Sequence, residues 1–192
     1  MVSYLRLTFG PARRFNKFVT ILCLTCNIFS CIIKVQRGGK ETMRTIWWDM
    51  DGTIANLYAV NDWLPKLRSE DPSPYAEAEV MWNMSQLARL MNKVQQMGYK
   101  LGIISWTSKG GSESYNEAVK QAKVEWLKKH LASVSWDSIY VVSYGTPKSL
   151  VMQTEDDILF DDEEPNRDAW LGEAYEPDMM IKVLKALLGR NW

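Results

Sequence analysis

From residue 43 onward, short apolar segments alternate with segments that have the periodicity of an amphipathic helix. The apolar segments are rich in β-branched and aromatic residues and short enough to be buried strands. Strands that alternate with helices predict a parallel sheet flanked by helices. We therefore predict an α/β, Rossmann-like fold with strands within residues 44–50, 99–105, 138–143 and 156–162.

Helices are predicted between and after these strands, within residues 83–98, 112–131, 146–153 and 177–189. Ser114 and Glu117 have the spacing of a capping box, which predicts that the second helix starts at Ser114. Thr146 followed by Pro147 predicts the start of the third.

Two segments interrupt the alternation. Residues 55–82 contain the Pro/Ser-rich sequence RSEDPSPY between an aromatic-bearing piece and an acidic helical one. We interpret this segment as a small helical cap insertion after the first strand, too short to form a large lid. Residues 162–177 show no clear periodicity and are predicted to form a loop.

The first 42 residues differ in kind from the rest of the chain. They carry seven Lys/Arg and one acid, whereas the remainder carries sixteen basic and twenty-two acidic residues. All three cysteines lie in the first part and all nine tryptophans in the second. We therefore divide the chain into an extension, residues 1–42, and a domain, residues 43–192.

Three interpretations of the extension stay open. Its apolar run, residues 18–33, follows a basic stretch as in a signal peptide, but it is shorter than the roughly 20 residues of a membrane span. It could serve as a signal or weak anchor, or it could be a poorly packed extension. The third interpretation, which we favour, is that translation starts at Met43 and that the preceding residues are an over-read.

The cysteines indicate neither a zinc site nor a disulfide framework. Cys23, Cys26 and Cys31 lack a fourth ligand nearby, and the one histidine of the chain, His130, is far away in the sequence. Because residues 43–192 contain no cysteine, the domain suits a reducing compartment. We expect a cytoplasmic protein, or a membrane-associated or exported one if the extension acts as an anchor or signal.

Polar residues follow or precede the predicted strands at positions where chemistry is expected. Parallel sheets bind ligands beyond the carboxyl ends of their strands. The first strand ends in Asp49 and Asp51, the second in Ser105, and the fourth in the pair Asp161 and Asp162. Lys148, in the third predicted helix, belongs to the same edge.

The sequence DMDGT, a strand that ends in Ser105, then Lys148 and the sequence LFDD resemble the haloacid dehalogenase-like (HAD) superfamily of phosphohydrolases. The resemblance covers residues 43–192 and implies a phosphatase with Mg²⁺ as cofactor. It implies that Asp49 is the nucleophile, forming an aspartyl-phosphate, and that Asp51 is the acid–base. Residues two positions apart in an extended chain lie on the same face, so Asp49 and Asp51 can act at one site.

The resemblance also implies the other site residues. Asp49 and Asp161, with the backbone carbonyl of Asp51, would hold the metal, and Asp162 would orient the metal's waters or Lys148 from behind. Ser105 and Lys148 would contact the transferred phosphoryl group. Thr107 is a second candidate for this phosphate contact.

The short insertion leaves two substrate classes open. One is a small phosphometabolite such as a nucleoside 5′-monophosphate, as in small-cap, 5′-nucleotidase-like members. The other is a macromolecular end, on a nucleic acid or phosphoprotein. The domain carries no Lys/Arg stripe, which argues against nucleic acid. A catalytically weak, HAD-fold binding protein is the third possibility, although a decayed site usually lacks at least one of these residues.

Overall fold

A computed structural model describes residues 44–189 of the chain. The predicted extension, residues 1–42, therefore lies outside the described residues. Within the described range, no helix has the length and apolar character needed to cross a bilayer.

The described residues contain seven strands: Thr45–Trp48 (β1), Ala55–Asn56 (β2), Glu79–Val80 (β3), Lys100–Trp106 (β4), Ser138–Val142 (β5), Ile158–Phe160 (β6) and Glu173–Tyr175 (β7). Five of them form an all-parallel sheet in the order β5-β4-β1-β6-β7. This confirms the predicted parallel α/β fold. Because β4 and β6 lie on opposite sides of β1, the strand order reverses at β1, which is where such sheets bind ligands.

The described residues contain six α-helices: Trp63–Arg68 (α1), Ser73–Glu77 (α2), Met84–Gln96 (α3), Glu113–His130 (α4), Glu164–Asp168 (α5) and Met180–Leu187 (α6). Three short 3₁₀ helices also occur, at Leu57–Ala59, Lys148–Val151 and Pro177–Met179. The long helices α3 and α4 lie in the connections between neighbouring parallel strands, which need a long crossover segment that is usually a helix.

The core has two parts, one on each face of the sheet. Ile46 and Trp48 of β1 belong to a large cluster to which α3, α4 and α6 also contribute. Trp47 points to the opposite face, where it joins a smaller cluster with Ile104 and Leu159. Because β1 is buried on both faces, its sequence is a continuous apolar run rather than an alternating one.

Two predicted helix starts are wrong in detail. The N-cap of α4 is Ser112, whose Oγ accepts a hydrogen bond from the N–H of Tyr115. Ser114 lies inside the first turn instead. The segment after Thr146 forms only the 3₁₀ turn Lys148–Val151, because Pro147 has an extended backbone (ψ 121°) and offers no side-chain cap.

The prediction of a loop over residues 162–177 is also wrong. This segment contains α5 and the edge strand β7, which pairs with β6. Both elements are short, and β7 has the sequence EAY with partly exposed side chains. An edge strand of three residues carries too little apolar pattern to be recognised in a sequence.

The insertion after β1 is a compact addition to the sheet. It begins with β2 and ends with β3, which pair antiparallel, and α1 and α2 lie between them. Helix α2 packs against α4 through Tyr75, which shares a buried cluster with Tyr115 and Val119. The insertion is therefore anchored to the core beside the carboxyl edge of the sheet.

Candidate active site

The chain turns sharply after β1 at the carboxyl edge of the sheet. The N–H groups of Ile54 and Ala55 both donate to the carbonyl of Met50, at 2.9 and 2.8 Å. Gly52 has a φ of +76°, and a Cβ at this position would lie 2.3 Å from Oδ2 of Asp162. Glycine is required here both for the backbone conformation and for the close approach of Asp162.

This turn places two carboxylates at one cavity. The side chain of Met50 is buried in the main core. Because alternate residues of an extended segment face opposite ways, Asp49 and Asp51 both face away from that core, and both line the same cavity. This is the arrangement that the spacing of the two acids predicts.

The carboxylates after β1 and β6 converge. Asp49, Asp161 and Asp162 each place one oxygen within 4.8 Å of the others. The ammonium of Lys148 lies between two of them, 2.9 Å from Oδ1 of Asp49 and 2.6 Å from Oδ2 of Asp161. The structure therefore brings together four residues that come from three separate parts of the sequence.

The charges in this cluster do not balance. Burial and the neighbouring Asp49 raise the pKa of Asp161, against the opposing effect of Lys148. Burial, followed by Asp49 and Asp161, raises the pKa of Asp162 to about 7. Burial alone would lower the pKa of Lys148, but Asp49 and Asp161 outweigh burial and raise it. One ammonium therefore faces three carboxylates, so the cluster favours the uptake of further positive charge.

A divalent cation fits this cluster. The donors are all carboxylate oxygens, which are the ligands that Mg²⁺ prefers, and they lie close enough to share one ion.

Helix α5 holds the loop that carries Asp161 and Asp162. Oδ1 of Asp161 accepts hydrogen bonds from the N–H of Glu163 and from Nδ2 of Asn166, at 3.0 and 3.2 Å. The guanidinium of Arg167 donates to the carbonyls of Asp161 and Asp162, at 3.0 and 2.7 Å. The segment that the sequence predicted as a loop is thus the element that orients these acids.

Sequence reasoning missed one site residue, Lys123. Its ammonium donates to Oδ2 of Asp51 at 2.5 Å, to Oγ of Ser105 at 2.8 Å and to the carbonyl of Trp106 at 2.8 Å. Burial raises the pKa of Asp51, and the charge of Lys123 opposes this effect.

A signal for Lys123 was present in the helical pattern. The buried face of α4 includes Tyr115, Val119 and Trp126, and Lys123 follows Val119 by four residues. A lysine in an apolar stripe calls for a buried acceptor, because an unpaired ammonium would be costly there. The sequence does not show which acid supplies that acceptor, since Asp51 lies 72 positions away.

Both candidates for the phosphate-contacting hydroxyl lie at the site. Ser105 and Thr107 are buried and line the same cavity. Ser105 is the second-last residue of β4 and its hydroxyl accepts a hydrogen bond from Lys123, whereas Thr107 follows the strand, with its N–H bonded to the carbonyl of Val142.

The cavity above these residues has a volume of about 380 Å³, which is within the range of small-molecule sites. Two aromatic pairs line it. Tyr58 and Trp63 of the insertion have ring centroids 5.1 Å apart, and Trp106 and Tyr144 of the core have centroids 5.0 Å apart. A ligand in this cavity would therefore have charged groups at its base and rings along its walls.

The solved structures with the same fold include two phosphatases. The D,D-heptose 1,7-bisphosphate phosphatase from Burkholderia thailandensis has a TM-score of 0.50 and 14% sequence identity, and the match covers 77% of this chain and 99% of that one. The D,D-heptose 1,7-bisphosphate phosphatase from B. bronchiseptica, complexed with magnesium and phosphate, gives a TM-score of 0.51 and 13% identity with the same coverage. No protein-family model and no curated protein sequence matches the chain. The structural similarity confirms the predicted α/β fold, which the chain shares with these two phosphatases.

Proposed function

We propose that the protein is a Mg²⁺-dependent phosphatase that cleaves a phosphate monoester through an aspartyl-phosphate on Asp49. The observation that carries this proposal is the convergence of Asp49 with Asp161, Asp162 and Lys148, beside Asp51, at the carboxyl edge of the sheet. We assign this activity to the domain that spans residues 43–192, with residues 55–82 as its small cap.

Asp49 and Asp161, with the backbone carbonyl of Asp51, are proposed to hold the metal. Asp162 lies close enough to orient the metal's waters or to contribute an oxygen itself. When bound, Mg²⁺ neutralises the charge of the phosphoryl group and of the attacking carboxylate, which would otherwise repel each other. The B. bronchiseptica phosphatase, which has a similar fold, is complexed with magnesium and phosphate, and this supports Mg²⁺ as the proposed metal.

The chain's own residues account for the transfer. A carboxylate oxygen of Asp49 attacks phosphorus, and the bond from phosphorus to the leaving oxygen breaks. Protonated Asp51 gives its proton to that oxygen. Asp51 then takes a proton from water as the water attacks phosphorus, so that inorganic phosphate leaves and Asp49 is regenerated. Lys148 and the hydroxyl of Ser105 or Thr107 hold the equatorial oxygens throughout.

The cavity favours a small substrate with a planar ring, such as a nucleoside 5′-monophosphate. Bases stack readily on aromatic side chains, and rings line both walls of this cavity. Trp106 is held in place by a 2.8 Å hydrogen bond from its Nε1 to the carbonyl of Thr146. We further propose a cytoplasmic location and a small-molecule substrate rather than a nucleic acid.

The first experiment measures phosphate release from p-nitrophenyl phosphate, with and without Mg²⁺, and then from a panel of nucleotides, sugar phosphates and phosphopeptides. We expect Mg²⁺-dependent release and a preference for nucleoside monophosphates. Asp49→Asn should reduce the rate by about 10³-fold or more, as for loss of other catalytic nucleophiles.

Asp168→Asn is the matched control, because Asp168 is exposed and belongs neither to the carboxylate cluster nor to the residues that line the cavity. It should retain the wild-type rate. The proposal fails if the folded wild-type protein releases no phosphate, or if Asp49→Asn is as active as Asp168→Asn.

A further inference from the structure

Lys123 lies in the middle of α4 with only 1% of its side chain exposed. A lysine ammonium has three N–H donors. Here the three donors meet three acceptors: Oδ2 of Asp51, Oγ of Ser105 and the carbonyl of Trp106. Its hydrogen-bonding capacity is therefore fully used by the protein, and none is left for a substrate.

The surroundings of Lys123 keep the ammonium in this position. Its Nζ lies 4.9 Å from the ring centroid of Tyr75, which comes from the insertion. Lys123 is absent from the set of residues that line the cavity, whereas Asp51, Ser105 and Trp106 all line it. Lys123 therefore acts on the cavity through the residues that it contacts, which are these three and Tyr75.

The two buried lysines of the site divide their contacts. Lys148 contacts Asp49 and Asp161, on the side where a metal would be held. Lys123 contacts Asp51 and Ser105, on the side of the leaving group and the phosphoryl oxygens. A lysine with a purely structural role needs only acceptors for its ammonium group. Lys123 instead bonds to two side chains that have different roles in the proposed reaction.

We propose that Lys123 is a positioning residue that holds the carboxylate of Asp51 and the hydroxyl of Ser105 in reactive orientation. This inference rests on the proposed function. Lys123 occupies Oδ2 of Asp51, so Oδ1 is the oxygen that serves the leaving group. Lys123 also donates to Oγ of Ser105, so the hydroxyl proton is directed to another acceptor, which is the phosphoryl oxygen.

The test compares two aryl phosphates that differ in leaving group. Phenyl phosphate needs a proton from Asp51 as its bond breaks, whereas p-nitrophenolate leaves readily without one. In Lys123→Met we expect kcat/KM to fall by about 10²-fold for phenyl phosphate, within the range of general acid–base contributions. The fall for p-nitrophenyl phosphate should be at least several-fold smaller.

Two further variants separate positioning from general damage. Lys120→Met removes a partly exposed lysine one turn away on α4 that pairs with Glu117, and it should leave both rates unchanged. In an Asp51→Asn background, Lys123→Met should lower the remaining activity on phenyl phosphate by less than about threefold, because coupled residues are not additive. Equal losses on both substrates, or additive losses, would overturn the inference.

A third test observes the ammonium of Lys123 directly by NMR. It requires neither enzymatic activity nor a folded Lys123 variant. In ¹⁵N spectra of lysine side chains, a buried ammonium with three acceptors should give a slowly exchanging signal. Lys148→Met should leave this signal in place, whereas Asp51→Asn and Ser105→Ala should each shift it. If neither Asp51→Asn nor Ser105→Ala shifts the signal, the positioning role is contradicted, whether or not the protein is a phosphatase. An inactive wild type with the expected shifts would instead refute only the proposed reaction.

Discussion

The carboxylate of Asp162 lies close to those of Asp49 and Asp161. Its burial, and then the charges of Asp49 and Asp161, raise its pKa to about 7. Below that pH the metal-free site keeps a proton that a divalent cation must displace. We therefore expect the affinity for Mg²⁺ to increase as the pH rises from 6 to 8. Calorimetry in two buffers of different ionisation enthalpy should show the release of a proton on Mg²⁺ binding near pH 6.5.

The matched variant for this prediction is Asp162→Asn, which removes the titrating group while keeping its size. Proton release near pH 6.5 should fall well below the wild-type value, and the pH dependence of Mg²⁺ affinity should flatten. Unchanged proton release in Asp162→Asn would show that another group carries the proton.

A second aspartate, Asp157, has a structural task. It is fully buried before β6, and its carboxylate accepts hydrogen bonds from Thr45 N–H, Trp47 Nε1, Gln153 N–H, and the N–H and hydroxyl of Thr154. Asp157→Ala leaves several buried donors without an acceptor. We expect a loss of about 3 kcal/mol in the free energy of unfolding, measured with urea. Asp168→Ala, at an exposed position, should change the stability by less than about 0.5 kcal/mol.

Strand β4 packs against β1 so closely that one of its residues can carry no side chain. Gly102 is the register partner of Trp47, and a Cβ at Gly102 would lie 2.3 Å from carbons of the Trp47 ring. Because Trp47 is itself fully buried, the ring has little room to shift. Gly102→Ala should destabilise the protein by about 3 kcal/mol, at the upper end of overpacking costs.

Gly145→Ala gives the comparison for that substitution. Gly145 has a φ of +81°, and a Cβ there would meet nothing within 4 Å. Its replacement therefore tests backbone strain alone, with an expected cost of about 1 kcal/mol. If Gly145→Ala cost as much as Gly102→Ala in thermal or urea unfolding, packing against Trp47 would not explain the effect.

The elements that the sequence predicted are those with a strong local pattern. Strands β1 and β4 are apolar runs, and α3 repeats its apolar residues at helical spacing, so each can be recognised without knowing its neighbours. The carboxyl ends of β1, β4 and β6 then place Asp49, Ser105 and Asp161 at one edge of the sheet. Edge strand β7 could not be predicted in this way, because its pairing with β6 rather than its own residues makes it a strand.

The sequence indicates which residues lie at the site better than it indicates which contacts they make there. Periodicity places Lys123 on the buried face of α4, but only the packing of α4 against the sheet brings it to Asp51 and Ser105. The same holds for α5, where Asn166 and Arg167 orient the acids after β6. Interactions across long stretches of sequence depend on how elements dock, which a local pattern does not contain.

Over the whole domain, the groups that we propose react and those that we propose select the substrate come from different parts. The sheet supplies the charged base of the cavity, and the insertion supplies Tyr58, Trp63 and Tyr75 along its wall. The position of the insertion relative to the sheet therefore sets the shape of the cavity. Specificity should be open to change through the contacts that fix the insertion, without change to the carboxylates.

One of those contacts is a bridge between the insertion and the start of α4. The carboxylate of Glu70 accepts hydrogen bonds from the N–H and the hydroxyl of Ser112, both at 2.7 Å. These bonds lower the pKa of Glu70, first through the hydroxyl and then through the N–H. Next to Glu70, the carbonyl of Asp71 accepts a hydrogen bond from the hydroxyl of Tyr115. The insertion is thus joined to α4 by neighbouring residues.

Glu70→Ala removes the charged half of this bridge and should loosen the wall that carries Tyr58 and Trp63. Since the insertion would then have to be ordered when substrate binds, we expect KM for a nucleoside monophosphate to rise about fivefold, with kcat changed less than twofold. KM for p-nitrophenyl phosphate, which reaches less of the wall, should rise less. Glu77→Ala is the control, because Glu77 is exposed and pairs with Lys66 inside the insertion. Equal effects of Glu70→Ala and Glu77→Ala on KM would mean that the bridge to α4 does not set the position of the wall, and a fall in kcat alone would place the effect of Glu70 on the reacting groups instead.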